Sequence, residues 1–381
     1  MERNSSRIGA ARVEWSHFEN GGGVEEYHLM IHATDTEASF ARQLEQVMEA
    51  YTLIYMQELK EAVCVFKRYF LSDAANQADR VWAAEMERGG GALSVVEQPP
   101  LDGTKVALWA YLLTGVRTRA LGNGLYAVEH GAYRHLWGGS DWASATTAEY
   151  QTRLLLNGYV MRLAEEDCTL ADNCLRTWFF VQNVDVNYAG VVKARNEVFA
   201  TQRLTPDTHF ITSTGIGGRH ADARVYVQMD TYAVAGLRPG QVGFLYAPTH
   251  LNPTYEYGVS FERGTFVDYG DRRQVFISGT ASINNRGEVM YPGDVRQQTQ
   301  RMWENVEALL AEAGCTFADV GHCMVYLRDM ADYAVVRDLF DRRFPQWPVV
   351  MVHAPVCRPG WLIEMECMAV RPQVMETVHD F

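Results

Sequence analysis

Apolar positions alternate in short runs and recur at helical spacing in longer ones, and the two patterns follow one another in the same order three times. The last run of each set is the plainest: Lys105-Val-Ala-Leu-Trp-Ala-Tyr111, Ala223-Arg-Val-Tyr-Val-Gln-Met-Asp230 and Trp361-Leu-Ile-Glu-Met-Glu-Cys-Met368. Short apolar runs bounded by breakers predict buried strands. Each follows an extended stretch interrupted by Pro or Gly: Gln98–Gly103, Ser213–Gly218 and Ala354–Gly360. Earlier strands are predicted at Val63–Leu71, Leu175–Val181 and His322–Leu327, each leading into a helix, at Asn76–Glu87, Ala189–Thr201 and Tyr333–Phe340. A longer helix opens each set, near Ser39, Glu149 and Gln298, and Trp303, Val306, Leu309 and Leu310 mark one buried face of the last.

Self-similarity at this scale means one supersecondary unit repeated. A strand-rich start followed by helix, strand, helix and strand predicts an α+β layer, with helices on one face of a sheet. Three such sheets can close about a pseudo-threefold axis, with clefts between neighbours. The boundaries that follow are a tail over 1–23 and units over 24–120, 121–250 and 251–381, with linkers near Thr114–Gly124 and Leu237–Tyr257. Gly215-Ile-Gly-Gly218 is too short for a dinucleotide fingerprint and reads as a turn before a strand, and Gly89-Gly-Gly91 as a turn in the first unit.

Composition narrows the function classes. The chain has 381 residues, 48% of them hydrophobic and 21% charged, which is ordinary for a globular protein. Its net charge of −13 disfavours broad binding of nucleic acid or an anionic membrane. An anionic ligand must therefore meet a local group of arginines. No apolar run approaches the roughly 20 residues of a membrane helix, and no signal-peptide core is visible at the start. Seven cysteines without CxxC spacing fit a reducing compartment, so a cytoplasmic location is expected. The eleven histidines form no HxxxH or HExxH pattern, and neither a metal nor another cofactor is expected.

The order Phe276-Ile-Ser-Gly-Thr-Ala-Ser-Ile283, Gly287, Pro292-Gly-Asp294, Gln298-Thr299, Asn305-Val306, Ala313-Gly314, Val325-Tyr-Leu327, Pro348 and Ile363-Glu-Met-Glu366 resembles the Rid (YjgF-type) superfamily. The resemblance implies three tandem Rid-like (chorismate-mutase-like) units, each a sheet plus two helices, arranged as a covalent pseudo-trimer with sites between units. Rid imine deaminases carry an arginine two residues after the proline that here is Pro348, and that position is Val350. The earlier units offer no arginine at Val95-Val96 or Phe210-Ile211. A narrower resemblance is to chorismatases, which hydrolyse the enolpyruvyl ether of chorismate. It rests on Gly279–Ile283 with Pro-Gly-Asp and Gln-Thr, on Arg176-x-Trp178, Asn187-Tyr188, Ala194-Arg195 and Phe199, on Ser213–Gly217, and on Cys357-Arg358 with Glu364.

What this resemblance implies can be set against elementary chemistry. Chorismate has two carboxylates, which favour the planar fork of arginine. Arg176, Arg195 and Arg358 are the expected holders, with Tyr188 and Thr280 donating hydrogen bonds. Arg195 could instead pair with Glu197, and Thr280 could be an ordinary strand residue. Cleavage begins with protonation of the vinyl ether, which needs an acid of raised pKa. Alternation sends Glu364 and Glu366 to one face, where each carboxylate disfavours charge on the other. Glu364 is the expected acid, against the plainer reading of a solvated acidic face. A cysteine at the Cys357 position implies a 3-hydroxybenzoate product, and a small inert residue there a dihydrodiol; as an alternative, Cys357 is a buried filler. The expected partner is a small anionic precursor of an aromatic compound, and the expected state a monomeric pseudo-trimer or weak homo-oligomer. The other function classes are a Rid-type enamine/imine deaminase or endoribonuclease-like relative, and a non-catalytic metabolite-binding module. The first unit, lacking the arginine pair and the Cys–Glu pair, is expected to be a structural wall.

Overall fold

The computed structural model describes residues 1–21, 23–59 and 61–381. The first unit runs β1 (Glu2–Ile8), β2 (Ala11–Phe18), β3 (Glu26–Ala33), α1 (Phe40–Gln57), β4 (Ala62–Leu71), α2 (Ala74–Arg88), β5 (Ala92–Glu97) and β6 (Val106–Thr114). The second has β7 (Arg117–Ala120), β8 (Leu125–His130), β9 (Tyr133–Trp142), α3 (Ala148–Glu165), the short α4 (Leu170–Asn173), β10 (Cys174–Val181), α5 (Val184–Thr201), β11 (Thr212–Gly217) and β12 (Val227–Ala235). The third has β13 (Val242–Leu245), β14 (Gly264–Asp268), β15 (Arg272–Ala281), α6 (Val295–Glu312), β16 (Val320–Leu327), α7 (Tyr333–Arg343), β17 (Val349–His353) and β18 (Ile363–Pro372).

All three sheets are six-stranded and share one topology, β1-β2-β3-β6-β4-β5 and its counterparts. In each, one pair is parallel (β4 with β5, β10 with β11, β16 with β17), and the helix between those two strands provides the crossover that a parallel pair needs. The three-unit α+β architecture read from the repeat is the architecture present.

Several boundaries differ from the sequence reading. Residues 1–23, expected as a tail, contain β1 and β2 of the first sheet. The two expected linkers contain β7 and β13, each the edge strand of the sheet that follows. The run expected as a strand from Ala223 forms one only from Val227. Gly215–Gly218 is not a turn before a strand: Gly215, Ile216 and Gly217 lie within β11, paired parallel to β10. Gly89, Gly90 and Gly91 connect α2 to β5 through a bend at Gly91, all at positive φ, which glycine adopts without strain.

The sheets meet at a common axis, and strand register shows what each contributes. One position on the inner strand is Trp109 on β6, Asp230 on β12 and Glu366 on β18, opposite Arg68, Trp178 and Met324 respectively. Each member meets the neighbouring unit. Arg68 donates to Asp230 at 2.7 Å, Arg176 donates to Glu366 at 2.7 Å, and Trp109 stacks on His322 with centroids 4.4 Å apart. The contacts run first to second, second to third and third to first, closing a ring. Charges this deeply buried are tolerated when paired and hydrogen-bonded.

Candidate active site between the second and third units

Where β11 of the second unit meets β15 of the third, the two sheets are joined by side chains. Ser213 N–H donates to Ser278 Oγ at 2.9 Å, and Gly279 N–H donates to Thr214 Oγ1 at 2.9 Å. Beside this junction lies a narrow cleft with about 480 Å³ of empty space counting the open solvent at its mouth, lined from both units by Tyr188, Arg195, Gly215, Tyr257, Arg263, Gly279, Cys357, Arg358, Trp361 and Glu364 among others.

Two glycines make room for it. A Cβ on Gly215 would come within 2.6 Å of the Tyr188 ring, and one on Gly279 would collide with the Glu364 carboxyl. Register gives the counterparts in the seam between the first and second units: Val95 for Gly215, Ser140 for Gly279 and Gln228 for Glu364. There the Ser140 and Gln228 side chains close on each other and on the Val95 backbone. Val95 N–H donates to Ser140 Oγ at 2.7 Å, and Gln228 Nε2 donates to Val95 O at 2.9 Å. Every seam also carries a backbone contact from the segment that follows the parallel pair: Glu97 pairs with Arg219, Ile216 with Val356 and Val352 with Pro100, with Gly217 N–H donating to Pro355 O at 2.9 Å and Leu101 N–H to Met351 O at 3.0 Å. Within one threefold repeat, side chains thus fill between the first and second units the positions that two glycines leave open between the second and third.

Tyr188 and Arg195 lie on α5 two helical turns apart, so they share a face. Arg195 is 1% exposed, and its Nε and Nη2 are buried without any hydrogen-bond partner. The alternative pairing with Glu197 is absent, since that carboxylate is held by Arg153. A buried guanidinium without an anion is costly unless a ligand supplies one. Burial and the neighbouring Cys357 and Glu364 hold the Tyr188 hydroxyl in its neutral, donating form, by raising its pKa.

Glu364 and Glu366 project from one face of β18, as alternation requires, but their surroundings differ. Glu366 accepts from Arg176 Nη2 and Trp178 Nε1, each at 2.7 Å, and from the Thr214 hydroxyl. Glu364 has no such partners. Burial, then the Glu366 charge, raises it from 4.5 to about 8, against weaker pulls from Arg176 and Arg263. It is therefore an uncharged acid at neutral pH. Burial and the Glu364 charge also push the Cys357 thiol up to about 12, so it is not a thiolate.

Arg176 is not at the cleft surface. Its side chain points to the axis and is neutralised by Glu366, which makes it a support behind Glu364 rather than a free anion holder. Thr280 also turns away: at the bulge between Ile277 and Thr280 its hydroxyl donates to Ser278 O at 2.9 Å, on its own strand. Arg358 does line the cleft, over the rings of Tyr257 and Trp361 at 5.0 and 5.5 Å. Sequence reading missed Tyr257, whose buried hydroxyl has no partner, and Arg263, 4% exposed, which donates to Asn252 O at 3.0 Å. Neither sits in a quoted motif, and nothing in their spacing singles them out. Gly215 and Gly279 were visible within motifs, but their role as paired gaps requires the register.

Residues 263–371 match the family described as Endoribonuclease L-PSP. A RutC family protein of Pyrococcus abyssi is 31% identical over 127 residues, covering 33% of this chain and 91% of the relative. The chain belongs to the Rid (RutC) family. Within the Rid family, 3-aminoacrylate deaminase RutC of Acinetobacter baylyi is 29% identical over 97 residues, 25% of this chain and 77% of that protein. These matches fall within one unit's length. A crystal structure of a chorismatase aligns over 81% of this chain and 93% of its own, with a TM-score of 0.63 and 20% identity, which extends the shared fold well beyond one Rid unit. Register also corrects the positions equivalent to Val350, which are Ser94 and Thr214 rather than Val95-Val96 and Phe210-Ile211. None of the three is an arginine.

Among the described residues no group of three or more metal-ligating side chains could hold a metal ion, and no helix is long and apolar enough to cross a membrane.

Proposed function

We propose that the chain is a chorismatase-type enzyme that cleaves the enolpyruvyl ether of chorismate and releases pyruvate. The observation that carries this reading is the pairing, in one cleft, of an uncompensated buried cation with an uncharged acid: Arg195 and Glu364. Arg195, Arg263 and Arg358 give the cleft an excess of positive charge for a dicarboxylate. The relatives' deaminase activity is disfavoured because the arginine expected beyond Pro348 is absent from Val350 and from its counterparts Ser94 and Thr214.

In the proposed reaction Glu364 gives its proton to the terminal methylene carbon of the vinyl ether. The electron pair of the C=C bond forms the new C–H bond, and the ether carbon becomes an oxocarbenium centre facing the new Glu364 carboxylate. Water adds to that carbon and returns a proton to the carboxylate. The hemiketal then collapses, its C–O bond to the ring breaking as the ring oxygen takes a proton, to give pyruvate and a dihydrodiol. In the variant that Cys357 suggests, the vicinal ring hydroxyl rather than water adds to the oxocarbenium carbon and gives its proton to the Glu364 carboxylate. Its C–O bond to the ring then breaks as the proton on the adjacent ether-bearing ring carbon is lost, which makes the ring aromatic, and the resulting hemiketal collapses to pyruvate and 3-hydroxybenzoate with no net water. A neutral thiol beside Glu364 fills space that hydrolytic water would otherwise occupy.

The test is incubation of purified protein with chorismate, following pyruvate and the ring product. Pyruvate with stoichiometric 3-hydroxybenzoate is expected. Binding without turnover would favour a metabolite-binding module, and ammonia release from an enamine would favour a deaminase.

A further inference from the structure

A second pocket, with about 510 Å³ of empty space counting the open solvent at its mouth, lies beside the cleft and shares two of its wall residues, Phe261 and Arg263. The rest of its wall is aromatic and proline-rich, with Phe210, Tyr246 and Pro248 prominent. Proline fixes its own backbone, so this wall needs little ordering when a ligand enters. The cavity has two polar anchors. Glu262, 6% exposed, accepts Phe210 N–H at 2.7 Å through Oε1, while Oε2 has no hydrogen bond. Arg263 spends Nε and Nη2 on Asn252 and leaves Nη1 without a hydrogen bond. Burial holds the Glu262 carboxyl above its ordinary range, so it can meet a ligand hydroxyl as donor or acceptor.

We propose that this cavity is a second binding site, for a hydroxylated aromatic monocarboxylate, and that it contends with the cleft for Arg263. The flat apolar wall takes the ring, Glu262 the hydroxyl and Arg263 the carboxylate. The proposed aromatic product has this chemistry, so the regulatory part of the inference rests on the functional reading above; the binding part does not. One arginine shared by two cavities couples them. Whatever draws Arg263 toward the second cavity weakens its hold on a carboxylate in the cleft, and by linkage the reverse holds equally.

The experiment is titration calorimetry of the full chain with 3-hydroxybenzoate, alongside inhibition of chorismate turnover by the same compound. Wild type is expected to bind two molecules per chain. Tyr246→Ala and Glu262→Gln should each weaken one of the two sites about tenfold, a hydrogen bond or one packed ring being worth about that factor. Tyr246→Ala, which lies outside the cleft, should leave the KM for chorismate unchanged and remove one component of the inhibition. A stoichiometry of one, or two sites that neither variant alters, overturns the proposal. Two-site binding in a protein that does not turn over chorismate would defeat the functional reading and leave the second site standing.

Discussion

The Glu364 carboxyl lies over the α-carbon of Gly279, in the space that a Cβ at that position would fill. The acid is thus packed against bare backbone of the neighbouring strand, with Thr214 of the other unit within 3.1 Å of the same point. Gly279→Ala must therefore move the carboxyl. Overpacking of this kind costs about 1–3 kcal/mol. Turnover of chorismate by Gly279→Ala is expected to fall about a hundredfold while the protein still unfolds cooperatively in calorimetry. Unaltered turnover would mean that Glu364 does not work from this position.

Arg195 sets function against stability. Leucine there removes an unpaired buried charge and keeps most of the apolar stem, so Arg195→Leu should raise the thermal midpoint. The same change removes the anchor for a substrate carboxylate, and kcat/KM should drop about a hundredfold or more. A lowered midpoint would show that the guanidinium is already compensated in the free protein.

The pH dependence follows from the raised carboxyl of Glu364. The protonated form is the active one, so activity should hold through neutrality and fall as pH rises through about 8. For stability, a carboxyl whose pKa is higher when folded binds more protons folded than unfolded between 4.5 and about 8. Its contribution is complete below 4.5 and is lost as pH rises through 8. Glu364→Gln should flatten that slope in denaturant titrations taken across this range, and abolish turnover at every pH.

Behind the cleft, Arg176 and Glu366 test how the seam is held. Removing one partner strands a buried charge, so Arg176→Met or Glu366→Gln alone should destabilise by about 3–5 kcal/mol, and the double variant by much less than the sum. Chemical denaturation of the four proteins measures the coupling.

Cys357→Ala should shift the ring product from 3-hydroxybenzoate toward the dihydrodiol while chorismate consumption continues. Chromatography of the products reads this directly, and an unchanged product would make Cys357 a filler.

The repeat and its α+β layering were legible because strand, helix and strand each carry their own period, and three copies reinforce the signal. The edge strands β1, β7 and β13 were not legible. The residues of β1 and β7 are largely polar and exposed at the sheet margins and so carry no hydrophobic alternation, while β13 is a half-buried run of four residues, Val242–Leu245, too short to show one. Glu364, Arg195 and Tyr188, which line the cleft, were legible as candidates because they sit in ordered motifs on elements that bury them. Arg176 was expected in the cleft and lies behind it, because sequence shows that an arginine is on a strand, not which acid waits across the axis. That two glycines open one seam while Val95, Ser140 and Gln228 close another depends on inter-unit register, which no local pattern encodes.

The central claim is that this cleft protonates the methylene carbon of an enolpyruvyl ether, and turnover in D2O tests it most directly. With pyruvate trapped by immediate reduction and weighed by mass spectrometry, the reading requires one deuterium in the methyl group of every product molecule, and none formed by Glu364→Gln. Pyruvate without deuterium, or equal release by the variant, would contradict it.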